Sequence, residues 1–288
     1  MTAHPRRVLL APGYILHHRP YRDTSRILEV LVRDEGRLTL FARGVRGPKP
    51  RFGGVLQPFD LLLFSFQAGR DAGQLTGAET AESAPPLPAA SLMAGFYLNE
   101  LLLKLTVRHE PVPEIFEHYR RALDGLRAAG AVEAVLRVFE KRLLEAMGYG
   151  LDLTSEARTG KAIEAAGLYR FQASLGLIPA REGDADVVAG SSMLALAREE
   201  LGQGLGEGVA ATRAFGEAER LGEAQRLAEA HDRGEAQGPG NAQGPGNARL
   251  LEDARRVLKA ALAERLEGRE IVTRRVARAV AFRGGSRT

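Results

Sequence analysis

The sequence predicts an α+β fold, an N-terminal five-stranded OB-fold barrel followed by an α-helical domain, and three observations carry that prediction. Five short runs of aliphatic or alternating residues fall within residues 1–80, and strands of that length and spacing close into a small barrel, with an SH3-like barrel as the alternative. A proline-rich joint, Ala84-Pro85-Pro86-Leu87-Pro88, then changes the texture of the chain. Beyond the joint, apolar residues recur at helical spacing instead of alternating.

The elements follow in order. Residues 8–18 are apolar with a Pro12-Gly13 break, which reads as a strand carrying a bulge or kink and ending before Arg19-Pro20. Residues 25–33 are rich in β-branched and aliphatic side chains, Asp34-Glu35-Gly36 is a turn, and residues 37–42 alternate again, so this is a β-hairpin. Residues 55–66 form a long apolar strand interrupted by Pro58, and residues 74–80 a shorter polar one. Helices are expected over residues 89–107, 112–129 and 132–147, the last stopped by Gly148-Tyr149-Gly150. Residues 169–178 are strand-like. From 202 to 247 complexity falls, and the hexamer at Ala236 repeats at Ala242; glycine, proline and small polar residues there offer nothing to bury, as in a linker. A basic amphipathic helix is expected at 249–266 and a short one at 271–282. The domains are therefore 1–83 (barrel), 84–201 with 248–288 (helical), and 202–247 (a low-complexity insertion).

Charge is unevenly placed along the 288 residues. Residues 1–80 hold 12 Lys and Arg against 7 Asp and Glu, residues 81–245 hold 17 against 24, and residues 246–288 hold 11 against 5. Two basic ends flanking an acidic middle suit a protein that meets a polyanion. The chain has no cysteine, which excludes disulfides and thiolate metal sites, and its six histidines show no metal-ligand spacing. No catalytic signature emerges. Gly44 to Lys49 imitates part of a phosphate loop, but Pro48 removes a backbone donor and no Ser or Thr follows Lys49. The expectation is a binding protein without catalytic residues, metal or cofactor. With no run approaching about 20 apolar residues and no apolar leader after the first residues, the expected location is cytoplasmic.

The most informative stretch is Phe41-Ala42-Arg43-Gly44-Val45-Arg46-Gly47-Pro48-Lys49-Pro50-Arg51-Phe52-Gly53-Gly54. Arg43, Arg46, Lys49 and Arg51 stand there without an acid among them, and glycines let the backbone approach a ligand closely. With Arg19, Arg22 and Arg26 on the preceding strands, these cations form the candidate DNA-binding set. Small barrels also use exposed aromatics as stacking platforms for bases. Tyr21, Phe41 and Phe52 are the candidates, Phe41 being read as core from the strand pattern and Phe52 as exposed.

Several words in the chain resemble the RecO family of bacterial DNA repair and recombination mediators. They are Leu16-His17-His18-Arg19-Pro20-Tyr21-Arg22-Asp23-Thr24-Ser25, Phe41-Ala42-Arg43-Gly44-Val45-Arg46 and Leu56-Gln57-Pro58-Phe59 in the barrel. Tyr97-Leu98-Asn99-Glu100-Leu101-Leu102, Leu136-Arg137-Val138-Phe139-Glu140, Gly148-Tyr149-Gly150-Leu151 and Leu266-Glu267-Gly268-Arg269 come after them in the same order. Many members carry a four-cysteine zinc module after the Gly-Tyr-Gly element. This chain departs from that pattern, with Glu156 near the first expected ligand, so residues 160–181 are expected to be held by packing alone.

The resemblance implies a mediator of the RecFOR pathway that binds ssDNA and dsDNA without sequence preference and anneals complementary strands. It further implies that, with RecR, the protein helps to load RecA onto strands coated by single-stranded DNA-binding protein (SSB). RecF is a further implied partner, and the implied place of work is the nucleoid during repair. For the acidic SSB tail, the matching arginine is Arg137, with Leu136, Phe139, Tyr97 and Leu101 as wall residues. The alternative reading is an adaptor that does not bind DNA and docks a partner through its helical domain.

Overall fold

A computed structural model describes residues 6–46, 49–52, 54–128, 131–201 and 245–273. Two compact units result, one of Met1–Val132, Arg142–Tyr149 and Ala263–Thr288, the other of Glu133–Lys141 and Gly150–Leu262. The sequence changes texture at residue 84, whereas by compactness the barrel and the two helices after it form one unit. The expected insertion at 202–247 lies almost wholly outside the described residues, as does most of the expected helix 271–282.

In the first unit, β1 (Arg7–Tyr21), β2 (Ser25–Val32), β3 (Gly36–Ala42), β4 (Leu62–Gln67) and β5 (Gly73–Thr80) close into a barrel in the order β1-β2-β3-β5-β4. All neighbours are antiparallel except β3 and β5, which run parallel through Leu40↔Gly73 and Phe41↔Gln74. That mixture is the OB topology, as expected. β1 belongs to two ladders: its first half pairs with β4 and its second with β2, and Gly13 faces both Val32 and Leu62. A Cβ at Gly13 would stand 2.8 Å from the Phe64 ring and 2.9 Å from the Leu31 carbonyl, so the glycine lets β1 change partners in a crowded place. The ladder irregularities fall on either side of it, between Val8 and Ala11 and between Ile15 and His17.

Two strand expectations need correction. β1 does not stop before Arg19 but continues through Arg19↔Ile27, Pro20↔Arg26 and Tyr21↔Ser25, since the fixed φ of Pro20 suits a strand and costs only one donor. The long strand expected over 55–66 shrinks to Leu62–Gln67. Phe59 takes a left-handed φ of 72° just after Pro58, which ends any ladder there, although Leu56 still packs into the barrel core with Leu28, Leu40, Phe64 and Phe66.

A 3-10 turn at Ala89–Ser91 leads into α1 (Leu92–Leu105), and α2 (Pro113–Arg127) comes next. Proline at the first position of α2 suits a helix start because that N–H has no intrahelical partner. Tyr14 on the barrel packs edge-on against Tyr119 at 5.1 Å and tilted against Phe116 at 5.3 Å, both from α2. The Asn99 amide of α1 donates to the Leu16 carbonyl at 2.9 Å and accepts from the Tyr119 hydroxyl at 2.5 Å. One buried side chain thus ties strand, α1 and α2 together.

α3 (Val132–Ala146) contributes residues to both units. The second unit contains a three-stranded sheet of β6 (Leu168–Gln172), β7 (Gly176–Pro179) and β8 (Val187–Ala189), in the order β7-β6-β8. The strand-like stretch at 169–178 is its hairpin; β8 has too few residues for a pattern to reveal it. α4 (Gly190–Arg198) comes next, and α5 (Pro245–Leu266) fastens to this end. Asp253 of α5 accepts from the Ala189 backbone and the Ser192 hydroxyl, while Arg256 donates to the Val187 carbonyl.

The stretch expected at 160–181 to be held by packing alone is also tied by hydrogen bonds to the residues just before it, the Gly160 N–H donating to the Glu156 carbonyl and the Ile163 N–H to the Thr154 carbonyl, each at 2.9 Å. Asp152 accepts from the backbone N–H groups of Thr154 and Ser155 and from both hydroxyls, which together hold its carboxyl below the usual aspartate range, the Ser155 hydroxyl contributing most. Glu156 bridges to Leu177, and the Ala157 N–H donates to the Leu177 carbonyl at 2.7 Å. These hydrogen bonds add to the packing of Leu153, Ile163, Leu177 and Ile178, all of which are buried. No helix among the described residues is long and apolar enough to cross a membrane.

Candidate nucleic-acid interface

The candidate cations gather because two turns of the first unit are stitched to each other. β1 and β2 meet in a tight turn in which Arg22 adopts a positive φ of 50°. The Thr24 carbonyl at this turn accepts from the backbone N–H groups of Val45 at 2.8 Å and Arg46 at 3.0 Å, so the hairpin tip and the loop after β3 are one construction. The Arg46 guanidinium reaches back to the Arg22 carbonyl at 3.4 Å. Arg26 pairs with Ala42 in the β2–β3 ladder, immediately before Arg43.

The loop itself has internal order. Gly44 has a φ of +69°, and its carbonyl accepts from the Arg51 N–H at 2.7 Å, which folds the loop back on itself. Arg51 then donates to the Thr76 carbonyl of β5 at 2.8 Å, with its guanidinium 4.8 Å from the Phe52 ring centroid. Phe52 is half-buried against the barrel core, so the expectation of an exposed stacking ring there is corrected: packing on the core cluster hides part of it. Val45 is buried as well, and apolar anchors of this kind keep the flanking cations outward.

Arg19, Arg22, Arg43, Arg46, Lys49 and Arg51 are exposed and Arg26 is half-buried. None of the seven has an ion-pair partner among the described residues. Elsewhere in this unit cations are largely committed: Arg37 and Arg108 to Glu29, Arg33 to Glu117, Lys104 to Glu100 and Arg127 to Asp124. The acids thus neutralise one part of the surface and leave the turn-and-loop end positive. Asp23, at the hairpin tip, is the only acid in the stretch 19–26. Burial first, and then the Arg26 charge, lowers the His18 pKa below the ordinary histidine value, so His18 adds no charge here at neutral pH.

Phe41 is not core. It sits opposite Ile27 and Gln74 in the ladders, on the barrel's outer side, while Leu40 and Ala42 on either side of it point into the core. Its ring lies 5.4 Å from the Tyr21 ring, and the Arg22 guanidinium lies 5.2 Å from the Tyr21 centroid. Gln74, which sequence reasoning passed over, donates to the Phe41 carbonyl at 2.9 Å and steadies this edge. Strand parity held the missing signal, since Arg37, Thr39 and Phe41 share one face of β3. Arg70, exposed in the β4–β5 loop, is a further cation of this unit, with Asp71 directly after it.

The second candidate group is placed differently from expectation. Arg137 is 4% exposed, with Nη2 3.1 Å from Glu140 on the next turn of α3, while its Nε and Nη1 are buried without a hydrogen-bond partner. Within the same unit Leu136 is half-buried and Phe139 buried. Tyr97 and Leu101 belong to α1 in the first unit, where both are buried. Tyr97, Leu101 and Phe139 serve their own cores rather than open walls, because each lies on the inward stripe of its helix, while Leu136 stays at the edge of that stripe.

Comparison with known proteins matches both parts of the chain. The family described as "Recombination protein O N terminal" matches residues 7–84, and "Recombination protein O C terminal" matches residues 89–208. The DNA repair protein RecO of Methylococcus capsulatus is 44% identical over 192 residues, covering 67% of this chain and 79% of that protein. The protein of the same name from Nitrosococcus oceani is 41% identical over 217 residues, 75% and 85% of the two chains, and that of Haemophilus influenzae is 36% identical over 186 residues, 65% and 79%. With the two family halves in tandem over the barrel and the segments after it, and with the resemblance of the sequence words upheld, the chain belongs to the RecO family.

Proposed function

We propose that this protein is a DNA repair and recombination mediator that works by binding, without bond chemistry of its own, and that its barrel grips the phosphate backbone of ssDNA and dsDNA. Family membership supports the process, DNA repair and recombination. The observation that carries the mode of action is the turn-and-loop end of the barrel, where seven cations stand without acidic partners among the described residues. Such cations displace condensed counterions from DNA, so binding is independent of sequence and weakens steeply with salt. Two strands neutralised on the same surface repel each other less, which is a route to annealing without nucleotide hydrolysis.

The finer roles are also proposals. Together with RecR, and with RecF as a further partner, the protein promotes RecA loading on SSB-coated strands at the nucleoid. The SSB tail is received near Arg137, whose two unpartnered buried N–H groups suit a carboxylate, the acceptor that fits a guanidinium fork. An Arg137→Ala protein of unaltered melting temperature that binds an SSB-tail peptide as tightly as the parent removes this assignment; Arg137→Lys keeps the charge and loses the fork.

The deciding experiment is a salt titration of binding to labelled ssDNA. Each backbone contact on a single strand contributes about 0.7 to the slope of log K against log salt, so neutralising Arg43, Arg46, Lys49 and Arg51 together lowers the slope by roughly 3. An unchanged slope, or no binding at low salt, favours instead an adaptor that docks proteins only.

A further inference from the structure

We infer that Tyr21 and Phe41 form a two-ring platform on the outer side of the barrel that stacks the bases of unpaired DNA, and so lets the protein distinguish single strands from duplex. The inference rests on the phosphate-binding reading above and adds to it a contact that charge alone does not supply. Three features of the structure point to it.

First, the rings are on a surface and not in the core. Tyr21 is 36% exposed, Phe41 is half-buried, and neither belongs to the buried cluster inside the barrel. Second, they are ordered before any ligand arrives. The rings lie 5.4 Å apart at a tilt of 52°, Tyr21 is fixed by the last pair of the β1–β2 ladder, and Phe41 by pairing on both sides and by Gln74 on its carbonyl. Ordering them in advance removes an entropic cost from binding. Third, the cations surround them. Arg19 lies in the same cross-strand row, opposite Ile27, which itself faces Phe41; Arg22 lies over the Tyr21 ring, and Arg43 stands two residues beyond Phe41. A strand whose phosphates lie along these cations has its bases within reach of the rings.

The physics then separates two substrates. Every base has a π-face, so stacking tolerates any sequence. In a duplex those faces are already stacked on their neighbours, and only the phosphates remain available to the protein. A guanidinium over a ring is a contact that a nucleobase can continue, because Arg planes stack on bases as rings do. As two strands pair, their bases leave the platform while the phosphates keep their cations, so the finished duplex is held less tightly than either strand.

The test titrates the full chain with a fluorescein-labelled thymidine oligomer and with a duplex of the same length over a series of salt concentrations, and reads both the ratio of the two affinities at each and the salt slope. Alanine at a stacking position weakens single-strand binding by about 5- to 160-fold, so Tyr21→Ala is expected to lower the single-strand to duplex ratio by about tenfold. Tyr21→Phe keeps the ratio, and Tyr21→Leu, which keeps bulk without a ring, lowers it. A single strand carrying 2-aminopurine should be quenched by the parent and by Tyr21→Phe, and not by Tyr21→Leu. If Tyr21→Ala and Tyr21→Leu leave the ratio unchanged, or lower both affinities equally, the platform is overturned while the salt slope still reports on the phosphate grip. If the parent's binding shows no salt slope, the phosphate grip itself fails.

Discussion

Asn99 and Glu100, neighbours on α1, perform separate tasks that their residue types dictate. Asn99 is buried with both ends of its amide engaged, by the Leu16 carbonyl and the Tyr119 hydroxyl. Removing it strips hydrogen-bond partners from two buried groups and opens a small void. Asn99→Ala is expected to cost about 2–3 kcal/mol, seen as a lower urea midpoint with an unchanged slope. Glu100 accepts from the Thr273 backbone and hydroxyl and from the Val272 backbone, and pairs with Lys104 at 3.2 Å. Burial alone would raise its pKa, but the hydrogen bonds from Thr273, Val272 and Lys104 outweigh burial and hold it below the ordinary glutamate value. A carboxylate depressed in the fold contributes stability above its unfolded pKa of about 4.3 and loses it as pH falls through the lower folded value. Melting temperatures between pH 5 and pH 3 should therefore fall more for the parent than for Glu100→Gln; parallel curves would refute the assignment.

At the scale of elements, the turns decide what the barrel presents. The β2–β3 turn needs glycine at 36 for two reasons, a φ of +72° and the Glu110 carbonyl, which would lie 2.4 Å from a Cβ there. Gly36→Ala is expected to cost about 2–4 kcal/mol, since it adds left-handed strain to a backbone clash; thermal melting measures it, and a change below about 1 kcal/mol would mean the Glu110 segment yields freely. The loop after β3 is a different device. Its cations face outward because its own apolar residues, Val45, Phe52 and Leu56, pack on the barrel core. Its path is fixed by the Thr24 carbonyl, the Gly44–Arg51 hydrogen bond and the Arg51–Thr76 contact.

Over the whole molecule the net charge of +4 conceals its arrangement. The basic excess in residues 1–80 is concentrated by structure, since ion pairs consume cations such as Arg33, Arg37 and Arg108 and leave the turn-and-loop end unmatched. Annealing driven by this surface should be fast at low salt and slow progressively toward about 0.5 M, where the Debye length falls to roughly 4 Å; fluorescence-monitored annealing that ignores salt would rule out charge neutralisation as its cause. The acidic middle of the chain has a different character and falls within the segments after the barrel.

The barrel, the three helices after the proline joint, the basic loop and the family were legible in the residues alone, because alternation, helical period, glycine and proline placement and local words are properties of neighbouring residues. Contacts across the fold were needed to settle which cations are left unpaired, that Phe41 meets Tyr21 outside the barrel instead of filling it, and that Arg137 is buried against Glu140. Each of these depends on how the folded chain packs around the residue. Glu29 draws Arg37 and Arg108 to itself, the Thr24 carbonyl joins two turns, and the alternation of β3 acquires an inside and an outside only when β2 and β5 pair with it. Charge content is additive along a chain, whereas exposure and pairing follow from which distant residues the fold brings into contact.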